Sequence, residues 1–284
     1  MVDGPSSIDD IAVVVEALQG SELKLVGQIT DASNLALLCE VVDADAAGAV
    51  TGGPVRVIYK PVGGERPLWD FPEGTLAGRE VATFEVSRAG GWGVVPPTVL
   101  RDGPCGKGSV QLWIGDPFSE ESDVRPVDVV APQRVPEGWL SVVDGELTTG
   151  APVTVVHEDR DDVRDVAVLD AVVNNADRKG SHLVRDRAGA LWGFDHGVTF
   201  SRDPKLRTVL WGWSGKPLRE VDLDRLEVVR ALLDDVDSDL ATSLAVLLPR
   251  GDVRALRRRV TALLRVATHP RPSGGWPAIP WPAL

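Results

Sequence analysis

Residues 174–200 read NNADRKGSHLVRDRAGALWGFDHGVTF and constrain the fold more than any other segment. Asp177 lies in a loop after a predicted helix, His182 follows five residues later, and Asp195 begins an Asp-His-Gly sequence after a short hairpin. Phosphoryl transfer needs one carboxylate to orient the attacking hydroxyl and a second to hold a divalent cation against the phosphates. Asp177 and Asp195 fit these two positions, and a carboxylate oxygen is the ligand that a hard cation prefers.

Two charged residues in the preceding half extend this pattern. Lys60 ends a predicted strand, where its ammonium could reach the phosphates of a nucleotide. Glu80 lies on the next predicted helix, and a Lys–Glu pair from strand to helix would hold the ammonium in place and protonated. Taken singly, each residue is explained as well by a solvated charge, a turn or a surface ion pair. Their order along the chain favours the phosphotransfer interpretation.

The chain before residue 115 is rich in predicted strands, which are bounded by glycine and proline. Helices are predicted at 8–19, where Ser7 can cap the first turn, and at 76–89. A glycine- and alanine-rich stretch at 46–53 predicts a turn. The predicted strands cover residues 23–29, 35–42, 55–60, 94–100 and 110–114.

The chain after residue 115 is predicted to be mostly helical. Residues 115–136 are rich in acidic residues, serine and proline, which predicts an exposed loop. Apolar spacing then predicts helices at 159–176, 222–236, 238–248 and 252–267, with a short hairpin between them. We therefore predict an α+β chain in two lobes with a ligand cleft between them. The predicted parts are an N-terminal helix (1–20), a strand-rich N-lobe (21–114), a helical C-lobe (115–269) and a proline-rich tail (270–284).

Composition excludes several classes of protein. The 284 residues are 43% apolar and 25% charged, as in an ordinary globular protein, and their formal net charge is −12. This acidic excess argues against nucleic acid or an anionic membrane as a partner. The N terminus lacks an apolar signal segment, and the two cysteines lack metal-binding spacing. We therefore predict a cytoplasmic protein without a stable membrane anchor.

Six short motifs follow one another along residues 58–213. They are Ile-Tyr-Lys-Pro (58–61), Arg-Glu-Val with Gly-Val-Val-Pro-Pro-Thr (79–81 and 93–98), Gly-Ser-Val-Gln-Leu-Trp (108–113), Asn-Ala-Asp-Arg (175–178), Asp-His-Gly (195–197) and Trp-Gly-Trp (211–213). In sequence and order they resemble motifs of the phosphatidylinositol 3-/4-kinase superfamily, above all of the type II phosphatidylinositol 4-kinases and their bacterial relatives. Residues 68–72, Leu-Trp-Asp-Phe-Pro, also resemble a motif of an actinobacterial family of uncharacterised kinase-like proteins.

The resemblance implies a two-lobed, protein-kinase-like fold that uses ATP with Mg²⁺ or Mn²⁺. Asp177 would orient or deprotonate the acceptor hydroxyl, and Arg178 would neutralise charge beside it. Asp195 would bind the metal, together with His182. The residues implied in ATP binding, including the hinge that meets adenine, are Lys60, Glu80, Ser33, Gln111, Leu112, Trp113, Ile114 and Phe194.

Three departures from the family pattern keep alternatives open, and one of them is the absence of the cysteine-rich lipid anchor typical of the eukaryotic members. His182 stands where the family has asparagine, and imidazole suits Mn²⁺ better than Mg²⁺. The phosphate loop around Ser33 also lacks glycine. The alternatives are therefore a nucleotide-binding pseudokinase or scaffold, a phosphatidylinositol 4-kinase, or an enzyme that transfers AMP. The acidic charge and the missing anchor favour a protein serine or threonine, or a small molecule, over a membrane lipid as the acceptor.

Overall fold

The computed structural model describes residues 3–30, 33–71, 74–115, 125–275 and 277–284, which form a mixed α+β fold. The α-helices of the described residues are Ile8–Gly20 (α1), Asp45–Thr51 (α2), Leu76–Gly90 (α3), Asp161–Val173 (α4), Glu220–Asp234 (α5), Asp239–Leu247 (α6) and Arg250–Val266 (α7). The strands are Leu23–Gln28 (β1), Leu37–Val41 (β2), Arg56–Pro61 (β3), Thr98–Gly103 (β4), Gly106–Leu112 (β5), Val127–Val130 (β6), Trp139–Glu146 (β7), Pro152–Glu158 (β8), Leu183–Arg185 (β9) and Leu191–Gly193 (β10).

The strand-rich region is an antiparallel five-stranded sheet in the order β1-β2-β3-β5-β4. Side chains alternate along β3, so Val57 and Tyr59 are buried while Lys60 points to the other face. Helix α1 packs Val14 and Leu18 into the same apolar cluster as Val57 and Tyr59. The sheet therefore fixes the position of Lys60 by burying its neighbours on the opposite face.

The predicted ends of α1 are confirmed, whereas the turn predicted at 46–53 is wrong. Ser7 and Asp10 form a reciprocal capping box at the start of α1. Residues 45–51 form helix α2, which ends at Gly52 in the left-handed conformation with a φ of 73°. Alanine favours a helix, and the glycines that suggested a turn lie inside it and at its end.

A second sheet, in the order β6-β8-β7, was not predicted. Strand β6 lies within the predicted acidic loop, and residues 116–124 of that loop lie outside the described residues. Most side chains of β7 are exposed, so its sequence shows little of the alternation by which a strand is recognised. Val127 and Val155 bury the inner face of this sheet against the helical core.

The helical region has its own core, and α3 belongs to it. The predicted apolar face of α4, with Val163 and Leu169, is buried among residues of α5, α6 and α7. Helix α3 is buried on most of its surface and contributes Phe84 and Val86 to this core. In the described part of the chain, no helix is both long and apolar enough to cross a bilayer.

The tail from residue 270 contacts the body through its backbone. Gly180 N donates to the carbonyl of Ala283 at 2.8 Å, and Thr208 N donates to that of Ala278 at 3.0 Å. The side chain of Trp281 is exposed, and Trp276 lies outside the described residues. The tail therefore lies beside the loops that follow α4 and β10.

Candidate active site

Lys60, Glu80 and Asp195 meet in one ion cluster, although they lie on a strand, a helix and a loop. Lys60 Nζ donates to Glu80 Oε1 at 2.6 Å and to Asp195 Oδ1 at 3.0 Å. Burial alone would lower the pKa of Lys60, but the charges of Asp195 and Glu80 raise it above its usual value. The ammonium therefore stays protonated, as a phosphate ligand must.

Glu80 also links the helix to the loop that carries Asp195. Its Oε2 accepts a hydrogen bond from His196 N at 2.8 Å, and its side chain is only 4% exposed. Asp195 has a left-handed backbone, with a φ of 60°, and its side chain is 49% exposed. The charge of Lys60 holds the pKa of Asp195 well below its usual range. Asp195 is thus an ionised carboxylate that solvent can reach.

His182 lies against the same carboxylate. Its Nε2 is 3.4 Å from Asp195 Oδ2, and its Nδ1 accepts a hydrogen bond from Lys179 N at 3.5 Å. Burial lowers the pKa of His182 to about 4, so the ring is neutral at pH 7. A neutral ring that accepts at Nδ1 carries its proton on Nε2, which faces Asp195.

Asp177 lies between two cations that the sequence analysis did not assign. Arg207 Nη2 is 2.7 Å from Asp177 Oδ1, and Lys179 Nζ is 3.3 Å from Oδ2. Backbone hydrogen bonds hold Arg207 beside this loop, because its N–H donates to Asn175 O and its carbonyl accepts from Arg178 N. The rarity of lysine in this chain was a signal for Lys179, whereas no motif marks Arg207.

Arg178 does not lie where we expected it. Its guanidinium is completely buried, and its Nε and Nη2 donate to the two carboxylate oxygens of Asp170, each at 2.9 Å. Nη1 donates to Phe194 O at 2.9 Å, and Nη2 lies 2.6 Å from His196 Nε2. Arg178 therefore joins α4 to the loop after β10, while Arg207 and Lys179 contact Asp177.

The four predicted hinge residues differ in their surroundings. The side chains of Gln111 and Leu112 are buried in β5, and Gln111 Nε2 donates to Thr98 Oγ1 at 2.8 Å. Trp113 leaves the sheet half-buried, with its N–H donating to Arg56 O at 2.8 Å, and Ile114 is buried. The buried side chains of Gln111 and Leu112 therefore cannot meet a base, whereas the half-buried side chain of Trp113 still can.

Of the remaining two predicted ATP-binding residues, one lies beside the ion cluster. Phe194 is half-buried, and its ring centroid lies 6.0 Å from that of His182. Ser33 is exposed in the loop between β1 and β2, and the neighbouring Asp31 and Ala32 lie outside the described residues. The structure thus places Phe194 beside the cluster and records no contact of Ser33 with it among the described residues.

Asp195 offers carboxylate oxygens, which are the ligands that a hard cation prefers. Within the described ranges, no three His, Cys, Asp or Glu side chains are grouped to hold a metal. An ion here would therefore be held by Asp195 and by oxygens of the bound ligand. His182 would need the other tautomer to coordinate through Nε2, and it would then lose the hydrogen bond from Lys179 N.

Comparison with known proteins gives one informative match. No family model matches the sequence, so the resemblance to the phosphatidylinositol kinases stays a prediction. A comparison of structures matches the Helicobacter pylori proinflammatory kinase CtkA at 10% identity, over 87% of this chain and 97% of that one. The TM-score of this match is 0.37, which is too low to carry a conclusion. Protein Rv2133c of Mycobacterium tuberculosis is 42% identical over 272 residues, 94% of each chain. This chain therefore belongs to the family of Protein Rv2133c.

Proposed function

We propose that the protein is an ATP-dependent phosphotransferase that moves the γ-phosphate of ATP to a hydroxyl acceptor, within a two-lobed kinase-like fold. The observation that carries the proposal is a continuous series of polar contacts. It runs from Glu80 through Lys60 to Asp195, and then through His182 to the loop of Asp177. A phosphate donor and a hydroxyl acceptor need these charges side by side.

On the donor side, Lys60 would bind the nucleotide phosphates while Glu80 holds it in place. Lys60, which would make both of these contacts, is protonated at neutral pH, and its side chain is 23% exposed. Asp195 pairs with Lys60 and is open to solvent. An incoming phosphate would replace Asp195 as the partner of Lys60. Asp195 would then be free to hold a cation that neutralises charge on the phosphates.

On the acceptor side, Asp177 would orient the hydroxyl and accept its proton. Arg207 holds Asp177 Oδ1, which fixes the rotamer of the carboxylate. Lys179 lies at Oδ2, at the longer distance of 3.3 Å, where it could move to the transferred phosphate. A positioned base of this kind contributes roughly 10²–10⁴-fold to the rate.

The acceptor is a protein serine or threonine, or a small hydroxyl compound, rather than a membrane lipid. The net charge of −12 opposes approach to an anionic membrane surface. The arginines of α7, the most basic helix, are partly used inside the protein: Arg259 donates to Val172 O and Ser201 O. A lipid acceptor, as in a phosphatidylinositol 4-kinase, is therefore the weaker form of the proposal.

One observation favours a second candidate, a nucleotide-binding pseudokinase. His182 presents an N–H, rather than an oxygen ligand, to Asp195. A site with one carboxylate ligand could bind a nucleotide without aligning it for transfer. In that case Lys60 and Asp195 would bind ATP, and the protein would act through the bound state.

The test is incubation of the purified chain with γ-labelled ATP and either Mg²⁺ or Mn²⁺, with a bacterial lysate as the source of acceptors. We expect label on protein or on a small molecule, and a loss of at least about 10²-fold in Asp177→Asn. Asp224→Asn, at an exposed position of α5, is the matched control and should transfer label normally.

The same assay separates the alternatives. ATP binding without transfer supports the pseudokinase, and transfer from α-labelled ATP indicates AMP transfer. Wild-type ATP affinity in Lys60→Ala would show that the nucleotide binds elsewhere, and the proposal would then fail.

A further inference from the structure

Helix α3 carries two adjacent charged residues that serve different sides of the molecule. Glu80 lies on the side of α3 that meets the five-stranded sheet, where it binds Lys60 of β3. Arg79 points away from it into the helical core, and only 1% of Arg79 is exposed. Burying a guanidinium costs desolvation free energy unless it is paired and hydrogen-bonded. The partners of Arg79 therefore show which elements it holds together.

The partners of Arg79 lie on two other elements. Arg79 Nη2 is 2.7 Å from Asp252 Oδ2, in the first turn of α7, and Asp252 is itself 3% exposed. Arg79 Nη1 donates to the backbone carbonyl of Thr199, four residues after Asp195. The second oxygen of Asp252 accepts from Arg202 Nε at 2.8 Å. One guanidinium thus connects α3 both to α7 and to the loop that carries Asp195.

Two further contacts hold α3 at the same place. Thr83 Oγ1 lies 3.3 Å from Thr199 Oγ1, which in turn donates to His196 O at 2.8 Å. Gly78 lies against α6 so closely that a Cβ there would be 2.6 Å from the carbonyl oxygen of Leu247. The helix is therefore held against the helical region two residues before and three residues after Glu80.

We propose that Arg79 and Asp252 are positioning residues that hold α3 in the one place where Glu80 reaches Lys60, so that the Lys60–Glu80 pair is assembled before any ligand binds. A displacement of α3 by about 1 Å would break a hydrogen bond of 2.6 Å. A role of this positioning in phosphate transfer rests on the proposed function, whereas the positioning itself does not.

The experiment measures how fast Lys60 reacts with an amine-reactive acetylating reagent at pH 9 in the ligand-free protein, by mass spectrometry. Only the neutral amine reacts, so loss of Glu80 should increase the rate by about tenfold for each unit by which the pKa of Lys60 falls. Glu80→Gln sets this upper limit. We expect Asp252→Asn to increase the rate at least about threefold, as a fall of half a pKa unit would.

Glu85→Gln is the matched control, because Glu85 lies on the same helix and forms an exposed ion pair with Arg88. We expect its Lys60 to react at the wild-type rate. A structural role alone would change the unfolding midpoint of Asp252→Asn but not the reactivity of Lys60 in the folded protein.

Two results would overturn the proposal: a folded Asp252→Asn whose Lys60 reacts at the wild-type rate, or a Glu80→Gln that leaves that rate unchanged. If Asp252→Asn does not fold, Arg79→Lys retains the charge but reaches only one of the two acceptors. Its Lys60 must then react faster than that of the wild type, and an unchanged rate would count against the proposal. Since no nucleotide is used, failure of the proposed function leaves this result intact.

Discussion

Two ion networks meet at residues 195 and 196 and differ in their access to water. The first, called the cleft network after the cleft predicted between the lobes, consists of Lys60, Glu80 and Asp195, and the Asp195 side chain is 49% exposed. The buried network consists of Asp170 and Arg178, whose side chains are both 0% exposed. Both join the loop after β10 to other elements, through similar hydrogen bonds. We therefore expect solvent access, rather than the number of contacts, to separate a network that can exchange partners from one that holds the fold.

The physical reason is the cost of an unpaired charge. Water replaces a lost partner in the cleft network, so an ion pair there contributes little to stability and can be exchanged for a ligand. No water replaces it in the buried network, where an orphaned charge keeps its full desolvation cost. Substitutions in the two networks therefore separate the two cases by the size of their effect on stability.

The largest effect is expected from Asp170→Asn, which leaves the buried guanidinium of Arg178 without its counter-charge. We expect the free energy of unfolding to fall by about 3–5 kcal/mol. Urea unfolding followed by circular dichroism measures it. A loss below about 1 kcal/mol would contradict the distinction between the two networks.

A buried side chain that carries no charge, that of His157, tests whether burial without an ion pair is enough to affect stability. His157 Nε2 accepts from Gly212 N at 3.0 Å and its Nδ1 contacts Glu158 O at 2.9 Å, so the neutral ring satisfies both partners. Burial lowers the pKa of His157 to about 4 in the folded protein, while the unfolded value is near 6.5. Between these two pH values, His157 binds a proton in the unfolded chain but not in the folded protein.

Stability is therefore complete above pH 6.5 and falls as the pH drops toward 4, by about 3 kcal/mol for His157. His182 and His269 have pKa values lowered in the same direction, so the whole protein has a steeper slope than one histidine gives. We expect His157→Gln, which keeps an acceptor for Gly212 N, to reduce the slope of unfolding free energy against pH. An unchanged slope would show that His157 does not contribute.

A matched substitution in the cleft network should cost much less. Asp195→Asn leaves Lys60 paired with Glu80 and open to water, so we expect a loss of at most about 1 kcal/mol in unfolding free energy. Asparagine also tolerates the left-handed backbone at this position. The same variant should lose phosphate transfer, which the labelling assay measures. A loss of stability equal to that of Asp170→Asn would remove the difference between the networks.

The smallest effect is expected on the solvent side of α3. Glu85 and Arg88 form an exposed ion pair at i,i+3 spacing. We expect Glu85→Gln to change the unfolding free energy by about 0.2–0.5 kcal/mol. Thermal unfolding measures this change and sets the lower limit against which Asp195→Asn is judged.

Much of the local structure followed from the sequence, because helix caps and apolar spacing are local signals. The apolar positions of α4 and the cap at Ser7 are examples. Strand β7 was missed because its mostly exposed side chains give no alternation. Helix α2 was missed because its glycines were interpreted as a turn.

The candidate site divides in the same way. The motifs selected Lys60, Glu80 and Asp195, and the structure brings the three into contact. Arg207 and Asp252 carry no motif, and their partners lie 30 and 173 residues away in the sequence. Contacts between residues so far apart are fixed by the packing of whole elements.

The sequence by itself determined the charged residues of the candidate site, their order and the elements that carry them, since each depends on neighbours in the chain. Only the tertiary structure decided which charges are open to water. It buried Arg178 against Asp170 and placed Arg207 beside Asp177. The physical reason is that desolvation depends on every element surrounding a side chain, and no local pattern records that environment.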